Sequence, residues 1–161
     1  MKKILLISLS CLLFASENNS TLDIISYDKN ATGFIRNLKL YRYPSWVSKI
    51  VLSSGKEIYF SSPKSMFEFY LRPAKWPEFK IKGEEDFKEI YVTDFKTLKP
   101  INAKGAFFVY GSNKISPAGD DLVPFSSYQD AKNFMKSNNG KRIFSFKEIS
   151  QGLINWLNDS L

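Results

Sequence analysis

The stretch YVTDFKTLKPINAKGAFFVYGSNKISPAGDDLVPF, residues 91–125, decides the fold. Two runs rich in aromatic and β-branched residues, 91–95 and 106–110, predict strands. A Gly-Ser pair beginning at Gly111 predicts a turn, and a Ser-Pro-Ala-Gly loop precedes a third predicted strand over 122–125. That loop contains no thiol, thioether, imidazole or charged side chain, and this absence bears directly on function.

The segment before this stretch predicts a hairpin, a helix and a closing strand. Apolar and polar residues alternate over 47–52 and again over 57–60, with the turn sequence SSGK between them. Ser62 is a suitable N-cap and Pro63 a suitable first helical residue, so a helix is expected to follow. With its closing strand, this first half is predicted to be a ββαβ unit over residues 33–95.

The segment after it repeats the same order over residues 104–147. Ser127 takes the place of Ser62 as the N-cap of a second helix, and Gly140 is expected to end that helix in a left-handed conformation. The tripeptide Phe-Ser-Ser precedes both helices, which indicates an internal duplication. An amphipathic pattern over 148–158 predicts a C-terminal helix, so the fold class is α+β.

Residues 1–16 have the layout of an export signal. Lys2-Lys3 precede an apolar run that is too short to span a bilayer, and Ala15 offers a cleavage site near its end. The alternative is lipid attachment at Cys11, but the apolar segment before that residue is short for this purpose. We therefore expect a periplasmic protein cleaved near Ala15, with membrane attachment only if Cys11 is lipidated.

Residues 17–32 are polar and predict a flexible N-terminal arm ahead of a domain over 33–161. The arm contains two Asn-x-Ser/Thr acceptors, at Asn19 and Asn30, each with an acid two residues before the asparagine. The patterns ENNST and DKNAT resemble the extended acceptor signal of a bacterial periplasmic N-glycosylation system, which requires that acid. Both asparagines are glycosylation candidates in a host with that machinery.

The composition argues against an enzyme. The 161 residues include no His and one Cys, Cys11, which export processing removes. The mature chain then lacks the residue types that most often bind transition metals or act as nucleophile and general base near neutral pH. Met66 and Met135 lie on apolar helix faces, where Met fills core space. We expect no catalytic and no cofactor-binding residues.

The excess of basic over acidic residues does not indicate a nucleic-acid partner. The formal net charge of +7 comes from lysines and arginines scattered along the chain rather than clustered. A dispersed pattern of this kind is typical of a solvated surface, and an exported protein rarely meets nucleic acid.

Several motifs together resemble the family of NosL, the nitrous-oxide reductase accessory protein, which is exported and binds copper. In chain order they are YPSWV at 43–47, SSGKEIYFSSPKSMFEFY at 53–70, SPAG at 116–119 and DLVPFSSYQDAKNFMKSNNGKRIFSF at 121–146. The resemblance runs from about residue 37 to residue 149. It implies two related ββαβ halves, similar to an organomercury lyase domain, in agreement with the duplication.

The resemblance also marks copper-ligand positions, and this chain has no copper ligand at them. The family's Cys-Pro-x-Cys-Gly-Met segment falls on residues 33–38, and the methionine of its Gly-Pro-Met-Gly loop falls on position 118. The residues at the sulfur positions are Gly33, Arg36, Leu38 and Ala118. None of them offers a thiolate or thioether to Cu(I). The family's mode of copper binding is therefore not expected, and any copper bound is expected to be bound weakly.

Two functions from different classes remain open. The first is a non-enzymatic accessory protein of the NosL type, which assists assembly or maintenance of a metalloenzyme by contacting a periplasmic copper enzyme or its assembly factors. The second is a protein-interaction module that kept the scaffold and has no metal role. For either, a basic and aromatic segment offers a candidate interaction surface: Arg36, Lys39, Tyr41, Arg42, Tyr43 and Trp46.

Overall fold

Two antiparallel β-sheets and three α-helices make up residues 24–159, the part of the chain that the computed structural model describes. The strands of the first sheet are β1 (Ser48–Leu52), β2 (Glu57–Phe60), β3 (Phe87–Thr93) and β4 (Pro100–Asn102). Those of the second are β5 (Phe107–Ser116), β6 (Gly119–Phe125) and β7 (Arg142–Ser145). The helices are α1 (Pro63–Leu71), α2 (Tyr128–Ser137) and α3 (Gln151–Asp159).

Each half has the predicted ββαβ order. Its first strand is central, so that β1 lies between β2 and β3, and β5 lies between β6 and β7. Ser62 and Ser127 cap α1 and α2 in the same way, each side-chain oxygen accepting a hydrogen bond from the backbone N–H three residues later. The α+β class, the related halves and the C-terminal helix are confirmed. The short edge strand β4, which pairs with β3, is an addition that the sequence did not predict.

Helix α1 contacts both sheets and carries the centre of the core. Phe69 packs against Phe60 of the first sheet with 5.5 Å between ring centroids, and Phe67 packs against Phe108 of the second sheet at 5.2 Å. Met66 is fully buried in the same cluster, as its apolar helix face predicts. Burying each such side chain stabilises the fold by about 1.5–3 kcal/mol. The two halves therefore share one core around α1.

The turn predicted at Gly111 is wrong. Strand β5 continues past it to Ser116, and the pairing with β6 shifts register between Tyr110 and Ile115. Gly111 has a φ of 72°, which suits an irregularity within a strand pair. The hairpin turn lies at the SPAG loop instead, where Ser116 pairs with Gly119. A glycine marks turns and bulges alike, so composition does not separate the two.

The left-handed conformation predicted for Gly140 is adopted by its neighbour Asn139, with a φ of 57°. Gly140 has a different role, because it gives space for close packing. A Cβ atom at this position would lie 2.7 Å from Val109 Cγ1 and 2.8 Å from Met135 Cγ. The glycine therefore allows the end of α2 to approach β5.

Gly140→Ala is expected to lower the free energy of unfolding by about 1–3 kcal/mol, because the added methyl group overpacks this contact. Chemical denaturation of the purified protein measures the change. Gly105→Ala is the matched control, since nothing lies within 4 Å of its added Cβ. The control is expected to stay within about 0.5 kcal/mol of the parent protein. Equal losses in the two variants would contradict the packing role of Gly140.

Residues 24–32 pack on the domain, although they fall in the segment expected to be a flexible arm. Ile25 is buried in a small cluster with Leu40 and Val47. One apolar side chain in a polar segment can anchor it when a matching groove exists, and the segment's composition does not reveal that groove. The expectation of a flexible arm is therefore wrong for its second part.

Residues 1–23 and 160–161 lie outside the described part of the chain. The predictions about Cys11, Ala15 and Asn19 fall there. Within residues 24–159, no helix combines the length and the apolar character needed to cross a membrane.

Candidate functional site

Both segments that the resemblance marks for copper lie against the N-terminal end of α1. Gly33 of the first segment packs on Ser61, so closely that a Cβ at position 33 would lie 2.6 Å from the Ser61 nitrogen. The SPAG loop of the second segment is tied to α1 through Asp121, whose Oδ1 accepts a 2.8 Å hydrogen bond from the Lys64 N–H. The fold thus brings Gly33 of the first segment and Asp121, next to the second, to the start of the same helix.

The first segment is a closed turn. The Gly33 N–H donates to the Leu38 carbonyl at 2.9 Å, and the Asn37 N–H donates to the Gly33 carbonyl at 2.8 Å. Asn37 has a φ of 52°, a left-handed conformation that Gly adopts most easily and Asn tolerates. The resemblance puts a glycine of the family's motif at this position, and the left-handed backbone is compatible with a glycine.

The second segment is fixed by a buried polar network. Ser116 Oγ accepts a 2.9 Å hydrogen bond from the Ala118 N–H and donates one of 2.6 Å to Asp121 Oδ2. Burial raises the pKa of the Asp121 carboxyl, and hydrogen bonds from Ser116 and from the Leu122 and Lys64 N–H groups act in the opposite direction. Ala118 is 5% exposed, so position 118 lies in a fixed, enclosed turn.

Arg36 places a positive charge at the second cysteine position. Its Nη2 donates to Asn158 Oδ1 at 3.0 Å and lies 3.6 Å from Glu68 Oε2. Its Nε is buried and has no hydrogen-bond partner within the described residues. A fixed guanidinium opposes the arrival of a metal cation by electrostatic repulsion.

Lys64 adds a second cation beside it. The side chain is fully buried, and its Nζ donates to the Leu157 carbonyl at 3.1 Å. Desolvation lowers the pKa of this ammonium group, the Asp121 charge raises it, and the nearby Arg36 charge lowers it further. Arg36 and Lys64 thus both bind the last turn of α3, where cations interact favourably with the helix dipole.

Copper does not fit the residues present. Within residues 24–159, no group of three or more His, Cys, Asp or Glu side chains is placed to hold a metal ion. Met66 is fully buried among core side chains, and Met135 is half-buried and packs against a separate cluster. Neither methionine belongs to the two segments that meet at α1. The four positions therefore hold a glycine, a guanidinium and two aliphatic side chains in place of sulfur.

Trp46 of the candidate interaction surface is a core residue. It is 9% exposed, and its ring lies 5.3 Å from the Phe95 ring in a cluster to which Tyr43 also packs. A short 3₁₀ turn, Pro44–Trp46, leads into β1 and places this indole inward. Trp46 is therefore not available to a partner, which corrects its place in the predicted surface.

The exposed part of that surface consists of Lys39 and a pair at the neighbouring 3₁₀ turn, Tyr41 and Arg42. Tyr41 is 53% exposed, and the Arg42 guanidinium carbon lies 5.9 Å from the centre of its ring. Arg42 Nε also approaches the Tyr41 hydroxyl at 3.4 Å. Lys39 is exposed, and its Nζ donates to the Asn30 carbonyl at 2.8 Å. Of the six predicted residues, Lys39, Tyr41 and Arg42 are the exposed ones.

Two related ββαβ halves with a C-terminal helix form a small α+β domain. The family model for NosL matches residues 24–154, and the chain belongs to the NosL family. The match ends before Leu157 and Asn158, which bind Lys64 and Arg36.

Solved structures of NosL proteins are similar to this chain. The crystal structure of the copper chaperone NosL from Shewanella denitrificans has a TM-score of 0.66 and 26% identity, and the match covers 79% of this chain and 95% of that chain. The solution NMR structure of apo-NosL from Achromobacter cycloclastes has a TM-score of 0.45 and 24% identity, over 66% of this chain and 87% of that chain. Comparison with curated proteins gives no match.

Proposed function

We propose that this protein is a non-enzymatic, periplasmic accessory protein of the NosL type that has lost the family's sulfur-based copper site. It assists assembly or maintenance of a copper enzyme of the nitrous-oxide reductase kind by protein contact. Membership of a family that includes a copper chaperone supports the accessory, copper-related role. One observation carries the loss of binding: the residues at the four sulfur positions, Gly33, Arg36, Leu38 and Ala118, include no Cys and no Met.

Side-chain contacts around α1 support this proposal. Arg36 bridges Glu68 of α1 and Asn158 of α3, and Lys64 joins α1 to the Leu157 carbonyl. Hydrogen bonds to charged groups contribute about 1.5–3 kcal/mol each when buried. Side chains of the protein itself thus tie together the elements that surround the ligand positions.

A Cu(I) titration against a competing chelator tests this proposal. The purified mature protein is expected to show no submicromolar site, because no thiolate or thioether lies at the two segments. The NosL protein of Shewanella denitrificans is the positive control under the same conditions. A submicromolar site in this chain would overturn the proposed loss of binding.

The second candidate function is a protein-interaction module with no copper-related partner. The exposed Tyr41–Arg42 pair favours it, because Tyr and Arg are enriched at the centres of protein interfaces. A pull-down from periplasmic extract distinguishes the two functions. Capture of a copper enzyme or one of its assembly factors supports the accessory role, whereas specific capture of an unrelated protein supports the module.

A further inference from the structure

We propose that Asn30 is N-glycosylated. The modification is independent of the copper question, because it depends on a turn outside the two segments at α1. The acceptor sequence is Asp28-Lys29-Asn30-Ala31-Thr32, which has both the Asn-x-Thr element and the acid two residues before the asparagine. In an exported protein, such an acceptor is used where it lies on the surface and the transferase can reach it.

The structure displays this sequence in an exposed turn. The Ala31 N–H donates to the Asp28 carbonyl at 2.8 Å, and the Asn30 N–H donates to Asp28 Oδ1 at 2.7 Å. Asp28, Lys29 and Asn30 are all exposed. The side-chain amide of Asn30 makes no hydrogen bond within residues 24–159, whereas its backbone carbonyl is bound by Lys39 Nζ. The nitrogen that would be modified is therefore accessible on a backbone that is held in place.

Both ends of the turn are anchored. Before it, Ile25 is buried with Leu40 and Val47; after it, Thr32 pairs with Lys39 in an isolated β-bridge. The acceptor is thus presented as a short loop between two fixed points rather than within a strand or helix. Loops of this kind are where surface modification is tolerated, because no core packing has to be broken.

The transfer is chemically balanced with a lipid-pyrophosphate-linked oligosaccharide as donor. A bond forms between Asn30 Nδ2 and the anomeric carbon of the first sugar. The bond from that carbon to the pyrophosphate oxygen breaks, and the lipid pyrophosphate leaves with the electron pair. One Nδ2 proton passes to a base of the transferase. Asn30 remains an amide and carries no charge.

The experiment expresses the full chain in a bacterial host that exports it, with a bacterial oligosaccharyltransferase and a defined lipid-linked oligosaccharide. Intact-mass measurement and peptide mapping of the periplasmic protein give the occupancy of each asparagine. In Asn19→Gln, one glycan is expected on Asn30, and the further change Asn30→Gln is expected to abolish it. A known acceptor protein, expressed in the same cells, shows that the transferase is active. If that protein is modified while Asn30 stays unmodified in both the parent chain and Asn19→Gln, the proposal is overturned.

Variants of the acid test its part in the acceptor signal. Asp28→Ala is expected to reduce occupancy of Asn30 by at least roughly tenfold, because the acid belongs to the acceptor signal, and Asp28→Glu is expected to retain it. Lys29→Ala is the matched control, because it changes an exposed residue between the acid and the acceptor and is expected to leave occupancy unchanged. Full occupancy in Asp28→Ala would overturn the role given to the acid.

Discussion

Replacing Asp94 by alanine is expected to lower the free energy of unfolding by about 3–5 kcal/mol, because a buried carboxylate that accepts several hydrogen bonds is lost. Asp94 is 1% exposed and follows β3 of the first half. Its Oδ2 accepts hydrogen bonds from the Ser126 N–H at 2.8 Å and from the Ser126 hydroxyl at 2.6 Å, immediately before α2. Its Oδ1 accepts from the N–H groups of Lys96 and Thr97, each at 2.9 Å. The carboxylate therefore joins the two halves as well as its own turn.

The same contacts predict a pH dependence. Burial alone raises the pKa of the Asp94 carboxyl, but the hydrogen bonds from Ser126, Thr97 and Lys96 together outweigh it and hold this pKa below its usual value. A carboxyl with a lowered folded-state pKa stabilises the protein above its unfolded-state pKa of about 3.9, and this stabilisation is lost as pH falls through the folded value. The difference in stability between the parent protein and Asp94→Ala is therefore expected to narrow below about pH 4.

Chemical denaturation at pH 7 and at acid pH measures both effects. Asp130→Asn is the matched control, because its carboxylate pairs with Lys96 Nζ at 2.7 Å on the surface near the same turn. An exposed pair of this kind contributes about 1 kcal/mol or less. Equal losses in the two variants at pH 7, or a gap that widens in acid, would show that Asp94 does not join the halves.

Local signals explain why much of the fold could be predicted. Ser62 and Ser127 cap helices by contacts within one turn, so a short sequence contains all the information. The strand β4 depends on pairing with β3, and its three residues begin with a proline, which gives no recognisable strand pattern. Burial of Trp46 and Ile25 likewise depends on grooves formed by distant residues.

The sequence predicted which residues occupy the ligand positions, but the buried polar residues beside those positions, Lys64 and Asp121, were missed. Lys64 and Asp121 did leave a signal in the sequence. Lys64 lies three residues before Phe67, on the core-facing side of α1, and Asp121 alternates with Val123 on the buried face of β6. A charged residue on an inward-facing stripe indicates a buried polar network. Leu157 and Asn158, which bind Lys64 and Arg36, lie on α3. These contacts could not be predicted without the fold, because α3 is distant in sequence.

Restoring sulfur to the two segments is expected to restore copper binding. The variant Arg36→Cys, Leu38→Met, Ala118→Met introduces one thiolate and two thioethers and removes the guanidinium. Its Cu(I) affinity is expected to exceed that of the parent protein by roughly a thousandfold or more, equivalent to about 4 kcal/mol. The left-handed backbone at Asn37 is one that a glycine, as in the motif, adopts easily. Cu(I) titration against a chelator measures the gain.

Gly33→Cys is left out of this variant because its Cβ would lie 2.6 Å from the Ser61 nitrogen. Position 118 is also enclosed, so a methionine there costs about 1–3 kcal/mol of stability, and the double change Arg36→Cys, Leu38→Met serves as a second form. Arg36→Ser with Leu38→Ile is the control, since it removes the charge without adding sulfur. If the folded triple variant binds no more tightly than this control, the two segments do not form one site at α1. A gain confined to the sulfur variants shows that the scaffold kept the geometry and lost only the ligands.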